Sequence, residues 1–225
     1  FDVSQYGFNL GGPIIRNRLH FFIAPEWQQR QDPAAGPYYL NGQPSPAPDD
    51  PVIPLDSLNR ITQIMQTQYG FNVGTVEPVQ KETPLTNLFG RLDFKISGAH
   101  RLVFREIINH DVQDDFFRNV NTFNADPTVQ NSGFRYSTNA IQRDAKNTST
   151  TAQLYSNFGS GISNELIVGY NTIKDERIVP AQAPEVTVGV LAAGTRRSVT
   201  FGTEQFSPGN LLDQKIFEVV NNLTI

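Results

Sequence analysis

Leu88-Phe89-Gly90-Arg91-Leu92-Asp93-Phe94-Lys95-Ile96-Ser97 is the stretch that decides the fold. Leu88, Gly90, Leu92, Phe94 and Ile96 fall on one side; Phe89, Arg91, Asp93, Lys95 and Ser97 fall on the other. A helix, turning about 100° per residue, would scatter the two groups around its circumference. A strand, with its period of two, separates them completely. Ser97-Gly98-Ala99-His100 then reads as a short turn into 101–109, where Leu102, Phe104 and Ile108 share a face that Glu106 interrupts.

The same alternation recurs in both directions along the chain. Upstream, Tyr6, Phe8 and Leu10 alternate with Gln5, Gly7 and Asn9, and Gly11-Gly12-Pro13 reads as a turn after which the phase restarts. Leu19, Phe21, Ile23, Pro25 and Trp27 then oppose His20, Phe22, Ala24, Glu26 and Gln28. Downstream, Ala152, Leu154 and Phe158 oppose Thr151, Gln153 and Asn157, with Tyr155 on the polar side. Gly159-Ser160-Gly161 turns the chain into 164–173, where Leu166, Val168 and Tyr170 oppose Glu165, Gly169 and Asn171. In 216–225, Phe217, Val219, Leu223 and Ile225 oppose Glu218, Val220, Asn222 and Thr224. Seven strands of about ten residues result, longer than the usual five or six. They match the roughly 9–11 residues with which a tilted strand crosses a bilayer.

Short and long connections alternate. Strands one and two, three and four, and five and six are joined by short turns. The others are separated by long loops at about 31–86, 110–146 and 174–215. Outer-membrane barrels are built this way, whereas a soluble sandwich spaces its turns more evenly. The first loop holds nine of the fifteen prolines and one helix candidate, Leu55–Tyr69, with Leu58, Ile61, Met65 and Tyr69 at helical spacing and Gly70 as its stop. The third contains strand-like pieces around 186–190 and 198–202 that are expected to pair as a hairpin above the membrane.

Composition narrows the function. The 225 residues include no cysteine, which removes disulfides, thiol nucleophiles and cysteine-ligated metal. No apolar run approaches the eighteen residues of a spanning helix, and Phe1-Asp2-Val3 carries no leader pattern. A net charge of −4 argues against nucleic acid as a partner. The mean hydropathy of −0.35 does not argue against a barrel, whose interior is polar.

Particular residues were weighed against plainer roles. Phe8, Phe21, Trp27, Phe94, Phe104, Phe158 and Tyr170 are expected to form a lipid-facing band with aromatic girdles; the plain alternative is the core of a β-sandwich. Gly11-Gly12-Pro13 lacks the helix and Lys-Ser/Thr pair of a phosphate loop. His20, His100 and His110 are not at metal-ligand spacing from one another. His110 with Asp111, Asp114 and Asp115 lacks calcium-loop spacing and reads as a solvated acidic loop. No Gly-x-Ser-x-Gly elbow marks a nucleophile. Arg91, Asp93, Lys95, Arg105 and Glu165 face the polar side, and Tyr38, Tyr39, Phe116 and Phe117 are ligand contacts by loop position alone. No catalytic, cofactor or metal residue is assigned, and the chain is not expected to be an enzyme.

Tyr6-Gly7-Phe8-Asn9-Leu10-Gly11-Gly12-Pro13-Ile14 with Arg18-Leu19-His20-Phe21-Phe22 resembles the start of the barrel in TonB-dependent outer-membrane receptors. The nearest group is the Oar-like members with a carboxypeptidase-regulatory-like domain. Asn87-Leu88-Phe89-Gly90-Arg91-Leu92-Asp93 with His100-Arg101-Leu102, Asn164-Glu165-Leu166-Ile167-Val168-Gly169-Tyr170, and Gly209-Asn210-Leu211-Leu212-Asp213-Gln214 extend the resemblance over nearly the whole chain. It implies an all-β fold: residues 1–225 as an antiparallel transmembrane β-barrel segment, a fragment holding about a third of some 22 strands. It also implies energy-coupled uptake of an unidentified solute across the cell outer membrane of a Gram-negative bacterium. The expected partners are outer-membrane lipid and, through an N-terminal plug outside this chain, the TonB complex. The alternative from another class is a secreted or surface β-sandwich that binds glycan or protein.

Overall fold

The computed structural model describes residues 1–45, 53–116, 129–206 and 209–225, and of 129–132 the backbone alone. It is mostly β, 65% strand against 9% helix. Along the chain come β1 (Asp2–Gly7), β2 (Leu10–Ile15), β3 (Leu19–Pro33), β4 (Tyr39–Leu40), β5 (Gln43–Pro44) and α1 (Leu55–Tyr69). There follow β6 (Gln80–Lys95), β7 (His100–Asp115), β8 (Val129–Arg135), a 3-10 turn (Ser137–Asn139) and β9 (Ile141–Gly159). The chain ends with β10 (Ile162–Ile178), β11 (Val186–Ala192), β12 (Thr195–Phe201) and β13 (Leu211–Thr224).

One antiparallel sheet holds the long strands in the order β1-β3-β6-β7-β9-β10-β13, with β2 beside β1 on β3. It has seven places, as the alternation predicts, filled in chain order. Among the described residues the sheet does not close: β1 with β2 at one end and β13 at the other pair on one side only.

Two expectations are corrected. Gly11-Gly12-Pro13 is not a turn but lies inside β2. The register runs unbroken from Asp2 opposite Gln31 to Pro13 opposite His20, and shifts only between Pro13 and Ile15. The turn falls at Asn17, with φ 60°, where the Arg18 N–H donates to the Ile15 carbonyl at 3.0 Å. Pro13 is tolerated because an edge strand need not donate on its open side. Gly7 and Gly11, though not Gly12, serve close approach: a Cβ on Gly7 would meet the Pro25 carbonyl oxygen at 2.7 Å, and one on Gly11 would meet Phe22 at 3.0 Å.

Beyond the six-residue β1 and β2, the strands of this sheet are also longer than ten residues, from 14 in β13 to 19 in β9. The connections shrink to 34–79, 116–140 and 179–210. The added lengths, such as Arg30-Gln31-Asp32 and Gln113-Asp114-Asp115, are polar on both faces, so hydrophobic periodicity cannot register them. Asp111, Asp114 and Asp115 therefore belong to β7 and not to a solvated loop.

The main hydrophobic core lies outside the sheet. Tyr39, Ile53, Leu58 and Val73 from the first connection pack with Phe134 and Tyr136 from the second and Ala192, Val199 and Phe201 from the third. Each large apolar side chain so buried contributes about 1.5–3 kcal/mol. The helix α1 spans the residues its spacing predicts and stops at Gly70, which takes φ 63°, a left-handed conformation that favours glycine. Tyr136 fastens it, its hydroxyl donating to the Leu58 carbonyl at 2.7 Å. The strands β11 and β12 form the expected hairpin, and β8 adds to β12 in parallel. The three connections thus form one cap at a single end of the sheet.

Candidate functional site

Register assigns every strand residue to a face, because directly paired residues share one. The first face carries Tyr6, Trp27, Phe21, Leu92, Phe104, Ala152, Val168 and Val219 in neighbouring rows across all seven places. Tyr6 stacks on Trp27 at 5.7 Å between ring centroids, and Phe8 lies 6.5 Å from it. No second sheet covers this face among the described residues, and Phe104, Tyr170, Phe217 and Val219 are exposed. Toward the cap the same face turns polar. His110 Nε2 lies 2.9 Å from Asp144, Gln142 donates to Asp114 at 2.9 Å, and Lys174 bonds Glu176 at 2.7 Å.

The opposite face is the candidate functional surface. It unites Arg91, Asp93, Lys95, Arg105 and Glu165, as the alternation predicts, across β6, β7 and β10. Arg91 grips Asp93 with two bonds, 2.7 and 2.8 Å. Two ladders of side-chain bonds cross the strands. In one, Asn109 donates to Asn87 at 2.7 Å and Asn87 to Glu26 at 3.2 Å. In the other, Arg105 donates to Gln153 at 3.1 Å, Gln153 donates to Glu165, and Asn222 donates to the other Glu165 oxygen at 3.0 Å. The alternation puts Gln153 and Asn222 on this polar side, but neither they nor Asn87 and Asn109 were singled out, because the sequence reading followed charges and not amides. Tyr155 offered a signal, an aromatic on the polar side, and Arg101 stacks over its ring at 4.6 Å.

The cap contributes less than loop position suggests. Tyr39 is a core residue whose hydroxyl donates to the Ile53 carbonyl. Burial pushes its pKa above the ordinary tyrosine value. Phe116 is buried as well, so neither ring is offered to a ligand. Tyr38 is half-buried, and its backbone pairs with Ser45; Phe117 lies outside the described residues. The histidines stay apart: His20 pairs in register with Asp93, His100 Nδ1 lies 2.9 Å from Ser156 Oγ, and His110 meets Asp144. Strand alternation sends Asp111 and Asp115 to the face opposite His110 and Asp114. Among the described residues no three acidic or histidine side chains converge as a metal site.

Compared with known proteins, the chain matches no family model, no curated protein and no solved structure.

Proposed function

We propose that the chain is a section of the wall of a transmembrane β-barrel in an outer membrane, part of a TonB-dependent receptor that takes up a solute. One observation carries this: the apolar face forms an uncovered band, while the main cluster of buried apolar side chains among the described residues lies in the cap. From Leu19 to Trp27 the band runs about 27 Å along β3 at roughly 3.4 Å per residue. At a tilt of about 40° its height is about 20 Å, close to the about 25 Å apolar belt of outer-membrane barrels. The polar face then lines the lumen, the short turns face the periplasm and the cap faces outward. The open edges of β1 with β2 and of β13 are where further strands pair, since unpaired edges invite aggregation. A sandwich needs a second sheet over the band, and no observation favours one.

The absence of cysteine makes the test clean. Single cysteines at Ser160, in the turn between β9 and β10, and at Leu191, exposed in the cap, are introduced into the protein as its host expresses it. A membrane-impermeant maleimide applied to intact cells labels Leu191→Cys, and labels Ser160→Cys only after the outer membrane is permeabilised. Equal labelling at both positions in intact cells removes the proposal.

A further inference from the structure

Resting on that reading, we infer that the short-turn end of the lumen face binds a small, multiply charged oxyanion, a solute bearing phosphate or carboxylate groups. The chain carries a net charge of −4, yet this corner gathers Arg91, Lys95, Arg101 and Arg105 on one face of β6 and β7. Register sets Lys95 directly opposite Arg101 and Arg91 directly opposite Arg105. Like charges in directly opposed positions repel.

Elsewhere the sheet relieves such pairs. Lys146 stands opposite Lys174, but Lys174 bonds Glu176 at 2.7 Å. Arg143 stands opposite Arg177, but bonds Asp175. At the short-turn end Asp93 is taken up by Arg91. Among the described residues Lys95, Arg101 and Arg105 form no ion pair.

Lys95 and Arg101 line a concavity of about 570 Å³ with Tyr155, Asn157, Glu165 and Asn222. That volume is within the range of small-molecule sites, about 300–1,000 Å³, and is too small for a docked domain. Glu165 accepts bonds from Gln153 and Asn222, so both its oxygens are engaged. The rim therefore sets two cations against one satisfied carboxylate. Stacking on Tyr155 holds the Arg101 guanidinium in place. Its fork of donors suits a bidentate oxyanion, and Lys95 adds a point charge opposite. A neutral solute leaves the Lys95–Arg101 repulsion unrelieved, and a cation adds to it. In the barrel this site lies where the lumen opens to the periplasm, on the exit side of the transported solute.

The test is calorimetric titration of sodium pyrophosphate into the chain folded in detergent micelles at low salt, with β structure verified by circular dichroism. Binding is expected at one site. It weakens at least tenfold in the double variant Lys95→Gln/Arg101→Gln. It is retained in Lys146→Gln/Lys174→Gln, which removes the same charge from the other face. If the first double variant loses its β structure, Lys95→Gln alone is compared with Lys146→Gln. Equal weakening by the two substitutions, or no binding by the folded chain, overturns the site. Tighter binding of a hexaglutamate peptide than of pyrophosphate overturns the small-solute assignment. Insertion into phospholipid vesicles is measured separately. A chain that binds pyrophosphate but never enters vesicles keeps the anion site and removes the barrel wall. One that inserts without binding does the reverse.

Discussion

Phe104 and Ile107 are three residues apart in β7, and each is 39% exposed. They point to opposite faces: Phe104 pairs with Leu92 and Ala152 in the apolar band, and Ile107 pairs with Phe89 and Ser149 on the opposite, polar face. If both faces met water, arginine at either position would cost the same, within about 0.5 kcal/mol for an exposed site. If the band meets lipid, Phe104→Arg costs about 2–4 kcal/mol near the middle of the bilayer. Ile107→Arg then loses only a cross-strand contact with Phe89, about 0.2–1 kcal/mol. The expected difference of about 2–3 kcal/mol is roughly 30- to 150-fold in the unfolding constant, at 1.4 kcal/mol per tenfold. With a urea dependence of about 2 kcal/mol per molar, the two midpoints separate by about 1–1.5 M. Trp27 is the only tryptophan and lies on the band, so its fluorescence reports unfolding from phospholipid vesicles without a label. Coincident midpoints for the two variants would refute the assignment of the faces.

Tyr136→Phe keeps the edge contacts with Phe134 and Phe201 but removes the bond to the Leu58 carbonyl and the 3.1 Å contact with Thr62. The loss is about 1–2 kcal/mol, expected as roughly 5- to 30-fold faster trypsin cleavage at Arg60 while cleavage in the sheet is unchanged. Tyr39 gives the cap an alkaline limit. Its pKa is raised in the folded state by burial, so its contribution is complete below the unfolded value of about 10 and is lost as pH rises through the folded value. Tyrosinate absorbance at 295 nm is expected to rise together with cap proteolysis above pH 10, and Tyr39→Phe uncouples the two. Glu106 sits in the band between Gly90 and Thr150; Glu106→Leu is expected to stabilise the chain in vesicles by up to about 2 kcal/mol, which raises the urea midpoint by up to about 1 M. An unchanged midpoint would mean that its carboxylate already reaches water.

The sheet was legible where one face is apolar and the other polar, as in Leu88 to Ser97, and the faces of Leu92 and Phe104 followed from that. It was not legible where both faces are polar, so the cap-side ends of β3, β6 and β7 read as loop. Gly11-Gly12-Pro13 misled because turn composition and an edge strand that is closely approached look alike in one dimension. Only the register with Phe21 and Phe22 separates them. Arg91, Asp93, Lys95, Arg105 and Glu165 were placed on the polar face, since parity alone fixes them, but Arg101 was not singled out. Their convergence was not legible, because the opposition of Lys95 to Arg101 depends on the length of the turn between β6 and β7. The strand β8 had no signal: Val-Gln-Asn-Ser-Gly-Phe-Arg has no alternation and is held by its neighbour β12.

The cap shows why the three connections are one body and not three independent loops. None carries a core alone: the first supplies a helix with Leu58, the second supplies Phe134 and Tyr136, and the third supplies Val199 and Phe201. An isolated helix of 15 residues is marginal in water, and a lone two-stranded hairpin is no better. Their shared burial offsets the ordering entropy of each. That burial is possible only because β3, β6, β7, β9 and β10 are neighbours, which brings the ends of the three connections together. The first connection is fastened to the second, by Tyr136 to Leu58 in the helix and by Thr138 to the Val73 carbonyl beyond it at 2.7 Å. Cap order therefore depends on sheet order. Opening the cap requires its shared core to shift as a unit, a larger and rarer motion than the opening of a single loop.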